Sequence, residues 1–296
     1  MYEKIAVPLD GSGLAELVLE YVAGLAAASR ARVMLLNVCS PGESEAERMH
    51  RLYLRDIEKV LRSRLEDAGS EGSTVESELL FGHPAEEILT YAEKNKVSLI
   101  AMTTHGRSGV RRWALGSVAA RVARHSTIPV WLARCDVLRE TIREEWPERR
   151  ILVLLDGSER AEQVLPYVAD HANLSGAEVV LLRVCEPLSA LAFYAPGVYA
   201  NWEEIAEQTM ANQREECGRY FAGLERRLSD AGVQVRWETL MGNVWNEIIN
   251  YIERDGFDLV ALTSHGRSGI ARWAVGSVAE TLLRRCPIPL LLVRAR

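Results

Sequence analysis

The sequence predicts an α/β protein of two tandem units, each an open five-stranded parallel sheet flanked by helices. Three observations carry that reading. First, "TTHGRSGVRRWALGSVAARV" (Thr103 to Val122) returns near the other end of the chain as "TSHGRSGIARWAVGSVAETL" (Thr263 to Leu282). From His105 to Ala119 and from His265 to Ala279, only Val110/Ile270, Arg111/Ala271 and Leu115/Val275 differ. Second, each half alternates strand-length apolar runs with segments of helical spacing, giving β-α-β-α-β-α-β-α-β twice and implying right-handed crossovers. Third, the second-strand runs are apolar on both faces (Val33 to Leu36, Val179 to Leu182), as a parallel sheet covered on both sides requires. Two units of roughly 145 residues are ordinary domain size and large enough to bury a core. The boundaries fall at 1–135 and 150–296, with a polar, partly helical linker at 136–149.

Each half opens on a short apolar strand, "KIAVPLD" (Lys4 to Asp10) or "RILVLLD" (Arg150 to Asp156), followed by Gly11-Ser12 or Gly157-Ser158. A helix comes next. Leu14, Leu17, Val18, Tyr21, Val22 and Leu25 share one stripe, and Ser12 suits the N-cap, where its oxygen satisfies an orphaned N–H. The second strands are "ARVMLLNVC" (Ala31 to Cys39) and "AEVVLLRVC" (Ala177 to Cys185). A long charged helix follows, its inner stripe being Ile57, Val60, Leu61 and Leu65, or Cys217, Tyr220, Phe221, Leu224 and Leu228. A third strand leads into "FGHPAEEILTYAEK" or "MGNVWNEIINYIER", where Pro84 fits the first helical turn. The fourth strand, "VSLIAMTTHG" or "FDLVALTSHG", delivers the repeated loop. A helix beginning at Gly116-Ser117 or Gly276-Ser277 and a last strand, "IPVWLAR" or "IPLLLVR", close the unit.

The copies differ in length. The spacing is 146 residues from Asp10 to Asp156 and 160 from His105 to His265, so 14 residues are added in the second unit. They fit best in "EPLSALAFYAPGVYANW" (Glu186 to Trp202), a loop that packs over its domain or a partner, or forms a lid over the strand ends.

Composition narrows the function. A net charge of −6 argues against nucleic-acid and anionic-membrane surfaces. No 18-residue apolar run suggests a membrane span, and "MYEKIAVPLDGS" does not resemble a secretion signal. Five cysteines without metal-type spacing read as buried structural thiols in a reducing cytosol, so a cytoplasmic protein is expected.

Ligands of open parallel sheets bind beyond the carboxyl ends of the strands, where the strand order reverses. Asp10, Val38-Cys39 and the His105–Ser117 loop all converge on that edge. Glycines let a backbone approach a ligand closely, and a helix N-terminus at Gly116-Ser117 offers unpaired N–H groups to phosphate. Ser117 adds a hydroxyl, Arg107 a charge-assisted contact, and Asp10 an acceptor for a sugar hydroxyl or a hold on a divalent metal. Each feature alone has a plainer explanation: a turn at Asp10-Gly11, a cap at Ser12, a loop-orienting hydrogen bond for His105 and His265, a surface or interface patch for Arg112-Trp113 and Arg272-Trp273. It is their joint placement that leads one to expect a nucleotide site. Other chemistries fit poorly: there is no G-x-x-x-x-G-K-[ST], Glu16 stands where a dinucleotide fingerprint needs its third glycine, and neither a nucleophile elbow nor a metal-ligand spacing is present.

The strand-Asp-Gly-Ser opening and the late "THGRSG…GS" loop resemble the universal stress protein (UspA) family, and nearly the whole chain takes part as a tandem pair. The resemblance implies a Rossmann-like sheet in each half. ATP-binding members carry G-x2-G-x9-G-[ST]; here Gly106-x9-Gly116-Ser117 and Gly266-x9-Gly276-Ser277 match, while Thr103 and Thr263 replace the first glycine. By resemblance, Pro8, Leu9, Asp10 and Val38 surround adenine and ribose. Met102 and Thr103 line the cleft, and Gly106, Arg107, Gly116, Ser117 and Val118 hold the phosphates. The second-half set is Leu154, Leu155, Asp156, Val184, Leu262, Thr263, Gly266, Arg267, Gly276, Ser277 and Val278.

The expectation is a tandem protein that binds ATP with Mg²⁺ as a stress-response sensor or regulator, with no efficient turnover, because no general base is placed to activate water. The alternatives are a nucleotide-free interaction module working through dimer contacts made by the last strands and the Arg-Trp patches, or a slow ATP hydrolase. The two halves are expected to pair as an internal pseudo-dimer, with a homodimer as a further possibility.

Overall fold

The computed structural model describes residues 2–40, 44–70, 72–104, 115–135, 137, 148–186, 202–264 and 276–295. In the first half, strands β1 (Lys4–Pro8), β2 (Arg32–Cys39), β3 (Thr74–Phe81), β4 (Leu99–Thr103) and β5 (Val130–Ala133) alternate with helices. These helices are α1 (Gly13–Glu16), α2 (Val18–Ser29), α3 (Ser44–Asp67), α4 (Pro84–Lys94) and α5 (Ser117–His125). The second half repeats the order with β6 (Arg150–Leu154), β7 (Glu178–Cys185), β8 (Val235–Met241), β9 (Leu259–Thr263) and β10 (Leu290–Val293). Its helices are α6 (Glu159–Glu162), α7 (Leu165–Ser175), α8 (Trp202–Asp230), α9 (Val244–Asp255) and α10 (Ser277–Arg285).

Each half is the expected five-stranded parallel sheet, and the two are joined into one ten-stranded sheet of order β3-β2-β1-β4-β5-β10-β9-β6-β7-β8. Among the described residues every pairing is parallel except the central one, where β5 and β10 run antiparallel with Trp131 opposite Leu291. In both halves the chain leaves the first strand toward one edge and later returns on its other side. The reversal points therefore lie between β1 and β4 and between β6 and β9.

Alternation along the strands feeds two apolar layers. Val33 and Leu35 of β2 join one, Met34 and Leu36 the other, and both layers run through both halves. Each fully buried aliphatic side chain contributes roughly 1.5–3 kcal/mol. The exposed pairs on α3, Arg51–Glu47 and Arg62–Glu58, contribute about 0.3–0.5 kcal/mol each, so burial decides the fold. Two local expectations change. The helix after Ser12 is broken at Leu17 into α1 and α2. Val60 is exposed, because the inner stripe of α3 runs through Leu54, Ile57, Leu61 and Leu65 at steps of three and four.

At the seam, Tyr21 of α2 stacks on Trp131, with ring centroids 3.8 Å apart. A polar chain crosses it as well. Tyr2 Oη lies 2.9 Å from His171 Nδ1, and His171 Nε2 lies 3.1 Å from the carboxylate of Glu148. A carboxylate only accepts, so Nε2 carries the proton; in the neutral ring Nδ1 then accepts from the Tyr2 hydroxyl. Of the linker, Val137 is buried, and residues 136 and 138–147 lie outside the described residues. Among the described residues no helix is long and apolar enough to cross a membrane.

Burial holds several acidic protons beyond their ordinary range. The Cys286 thiol is pushed from 9.0 up to about 12, and the Tyr91 phenol, by burial and then Glu78, from 10.0 to about 12. A folded pKa raised above the unfolded one contributes stability below the unfolded value that is lost as pH rises through the folded value. Thermal melts are therefore expected to show Tm falling progressively from about pH 9 to pH 12. A Tm that stays flat across that window would contradict this.

Candidate functional site

A cleft opens beyond the strand ends at each reversal point. The first-half cleft, of about 230 Å³, is lined by Pro8, Leu9 and Asp10 after β1, Val38 on β2, and Met102 and Thr103 on β4. Gly116, Ser117 and Val118 at the start of α5 complete its wall. The second-half cleft, of about 540 Å³, has Leu154, Leu155, Asp156, Val184, Leu262, Thr263, Gly276, Ser277 and Val278 in the equivalent places. Gly106, Arg107, Gly266 and Arg267 lie outside the described residues, as do His105, His265, both Arg-Trp pairs and 187–201 of the aromatic insertion.

The Asp-Gly-Ser turns are built alike. Asp10 Oδ1 accepts from the Ser12 backbone N–H at 3.0 Å and from its hydroxyl at 2.6 Å. Ser12 Oγ in turn accepts from Ala15 N–H at 3.2 Å, as an N-cap does. Asp156 and Ser158 repeat this at 2.9, 2.6 and 3.2 Å. The carboxylate is thus aimed by its own turn, and the capping role and the site role belong to one arrangement. Across the cleft, Thr104 anchors the other wall. Its N–H donates to Ala133 O and its carbonyl accepts from Gly116 N–H at 2.8 Å. Ser264 does the same with Val293 and Gly276, both at 2.7 Å. These bonds fix Gly116 and Gly276 as N-caps without a capping side chain, which leaves the first N–H groups of α5 and α10 facing the cleft.

Sequence reasoning missed several lining residues. Pro84 and Ile88 of α4, and Val244 and Ile248 of α9, complete the apolar wall in each half. The repeat of "GHPAEEI" as "GNVWNEI" was the available signal. Tyr53 and Tyr220 sit against the aspartate turns. Burial and then Glu16 push the Tyr53 phenol well above its usual range, with Asp10 adding to the effect. Burial, Glu162 and Asp156 do the same for Tyr220. Both therefore stay neutral near the carboxylates.

The halves also differ. Asn37 of β2 is buried and donates to Leu9 O at 2.8 Å, holding the end of the first strand. Its counterpart Arg183 lines the second cleft, together with Cys185, Glu186 and Gln213.

Fold and clefts together define a tandem α/β protein with one cleft at each reversal of strand order. The sequence model of the universal stress protein family matches residues 1–134 and again 148–294. The chain belongs to that family, with both halves as members. It is 32% identical over 141 residues to universal stress protein MJ0531 of Methanocaldococcus jannaschii, covering 45% of this chain and 83% of that one. It is 24% identical to a universal stress protein of Mycolicibacterium smegmatis over 99% of this chain and 97% of that one. A crystal structure of a universal stress protein from Archaeoglobus fulgidus shares the fold over 99% of both chains, with a TM-score of 0.68 at 22% identity.

Proposed function

We propose that each half binds ATP as its Mg²⁺ complex at the cleft, and that the protein acts as a nucleotide-responsive sensor or regulator in the stress response. The observation that supports this most is the facing of two unlike walls. One carries a turn-fixed aspartate for a ribose hydroxyl; the other carries the bare N-terminus of a nine-residue helix, suited to phosphate. Pro8, Leu9, Val38 and Met102, or Leu154, Leu155, Val184 and Leu262, give an apolar surround for a base. Small-molecule sites occupy roughly 300–1,000 Å³, and the second cleft, at about 540 Å³, falls within that range while the first, at about 230 Å³, is smaller. The second half is therefore the tighter site in this reading. Thr103 and Thr263, both buried, present a small polar side chain where a glycine stands in the family pattern.

The donor set does not favour a protein-built metal cage. Among the described residues no group of three or more His, Cys, Asp or Glu side chains is arranged to hold a metal. Mg²⁺ keeps water and phosphate oxygens readily, so in this reading it arrives with ATP, with Asp10 or Asp156 as the carboxylate nearest the ribose side. The chain's own residues orient and bind.

The test is to purify the protein without added nucleotide, denature it, and identify released small molecules by mass spectrometry. ATP at one or two equivalents per chain is expected, the first equivalent residing in the second half. Finding none, together with no thermal shift on adding Mg-ATP, would replace this reading with a nucleotide-free interaction module.

A further inference from the structure

The second cleft has a feature that the first lacks. Cys185 ends β7 and lines the cleft. Cys217 lies on α8 one turn beyond Gln213, which lines the same cleft. Both cysteines are buried, and their sulfurs are 3.8 Å apart. All five cysteines of the chain are described and none is in a disulfide. In the first half Cys39 occupies the place of Cys185. Aligning Tyr53 with Tyr220 and Leu54 with Phe221 puts His50 where Cys217 stands, so no second thiol stands at that position.

We propose that Cys185 and Cys217 are a dithiol oxidation site of the second half, a modification site for hydroperoxides that sets the shape of the second cleft. A disulfide needs its sulfurs about 2.05 Å apart. The pair is already in van der Waals contact, and an approach of about 1.8 Å completes the bond. Cys185 is the thiol that an oxidant entering the cleft meets. Its sulfur, as thiolate, attacks one peroxide oxygen, the O–O bond breaks, and the other oxygen leaves as hydroxide and is protonated to water. The Cys185 sulfenic acid is then attacked by the Cys217 sulfur, which loses its proton; the S–O bond breaks and a second water leaves. Two thiols and one hydroperoxide of the H₂O₂ class thus give one disulfide and two waters, and a dithiol reductant reverses the change.

The surroundings suit the order of these steps. Burial, and then Cys185, push the Cys217 thiol up, while the positive charge of Arg183 acts against them. Cys217 therefore waits protonated until a sulfenic acid forms beside it, and Arg183 stabilises the thiolate as it develops. The new bond ties the end of β7 to the turn of α8 that carries Gln213. That draws two walls of the second cleft together and leaves the first cleft unchanged. The consequence for ligand affinity rests on the nucleotide reading above; the disulfide itself does not.

The experiment treats the full-length chain with hydrogen peroxide, alkylates it without reductant, and maps the cysteine peptides by mass spectrometry. The expected result is loss of two of the five alkylatable thiols and a Cys185–Cys217 cross-linked peptide pair that dithiothreitol releases. Cys217→Ala, which only removes a buried sulfur, is expected to abolish the pair and let Cys185 run on to the irreversible sulfinic acid. Cys39→Ala is expected to leave the pair intact. Recovery of Cys185 and Cys217 as separate alkylated peptides, or oxidation spread evenly over all five cysteines, would overturn the proposal. Mg-ATP titration of the reduced and oxidised protein separates the two readings. No binding in either form, with the cross-link present, removes the nucleotide reading alone. Binding unaltered by peroxide, with both thiols alkylated, removes this one alone.

Discussion

Trp131→Ala is expected to destabilise the protein by about 3–5 kcal/mol, the usual cost of truncating a buried large aromatic side chain. Trp131 is only 1% exposed and lies on β5, directly opposite Leu291 of β10. Its ring is stacked on Tyr21 at 3.8 Å, so the substitution removes material from the one antiparallel pairing that joins the halves. The exposed ion pair near the same seam, Arg124–Glu280 at 3.3 Å, contributes about 0–1 kcal/mol and cannot compensate. The indole N–H has no hydrogen-bond acceptor among the described residues. Trp131→Phe removes that unsatisfied donor while keeping an aromatic face, so it is expected to cost much less than the alanine variant. Guanidinium unfolding followed by circular dichroism measures both. A loss below about 1 kcal/mol for Trp131→Ala, against the usual truncation cost, would mean the halves are held together elsewhere.

The seam shows where sequence reasoning stops. Apolar runs such as "ARVMLLNVC" and the duplicated loop were enough to read two parallel units, because continuous burial and repetition are local properties of the chain. "IPVWLAR" and "IPLLLVR" read as closing strands and as places for dimer contacts. Nothing in either run shows that each meets the other in antiparallel register, since that depends on how two finished sheets are set side by side. Val60 was misplaced for a related reason: an apolar residue next to Leu61 fits a stripe on paper, while the helix turns it toward solvent. Within the clefts, the aspartate turns and helix starts were legible because each carries a short motif. Ile88, Ile248 and the two tyrosines were not. They reach the site from neighbouring helices, by packing rather than by motif. The 3.8 Å approach of Cys217 to Cys185 likewise needs the register of α8 against β7, which spacing alone does not supply.

Ser277→Glu is expected to weaken Mg-ATP binding in the second half at least about tenfold, a loss of about 1.4 kcal/mol, without weakening the fold. Ser277 is the first residue of α10, exposed at the cleft, and its helix has no capping side chain at Gly276. A carboxylate there interacts favourably with the positive end of the helix, a contribution of about 0.3–1 kcal/mol to stability. The same negative charge occupies the place where phosphate is to bind and repels it. Affinity and Tm should therefore move in opposite directions, which a merely misfolded variant cannot produce. Ser117→Glu is the corresponding change in the first half and is expected to remove the weaker binding event. Calorimetric titration of the two single variants and the double variant then assigns each equivalent of ATP to its cleft. Undiminished affinity in the double variant would place the nucleotide elsewhere and sink the helix-terminus model of phosphate binding.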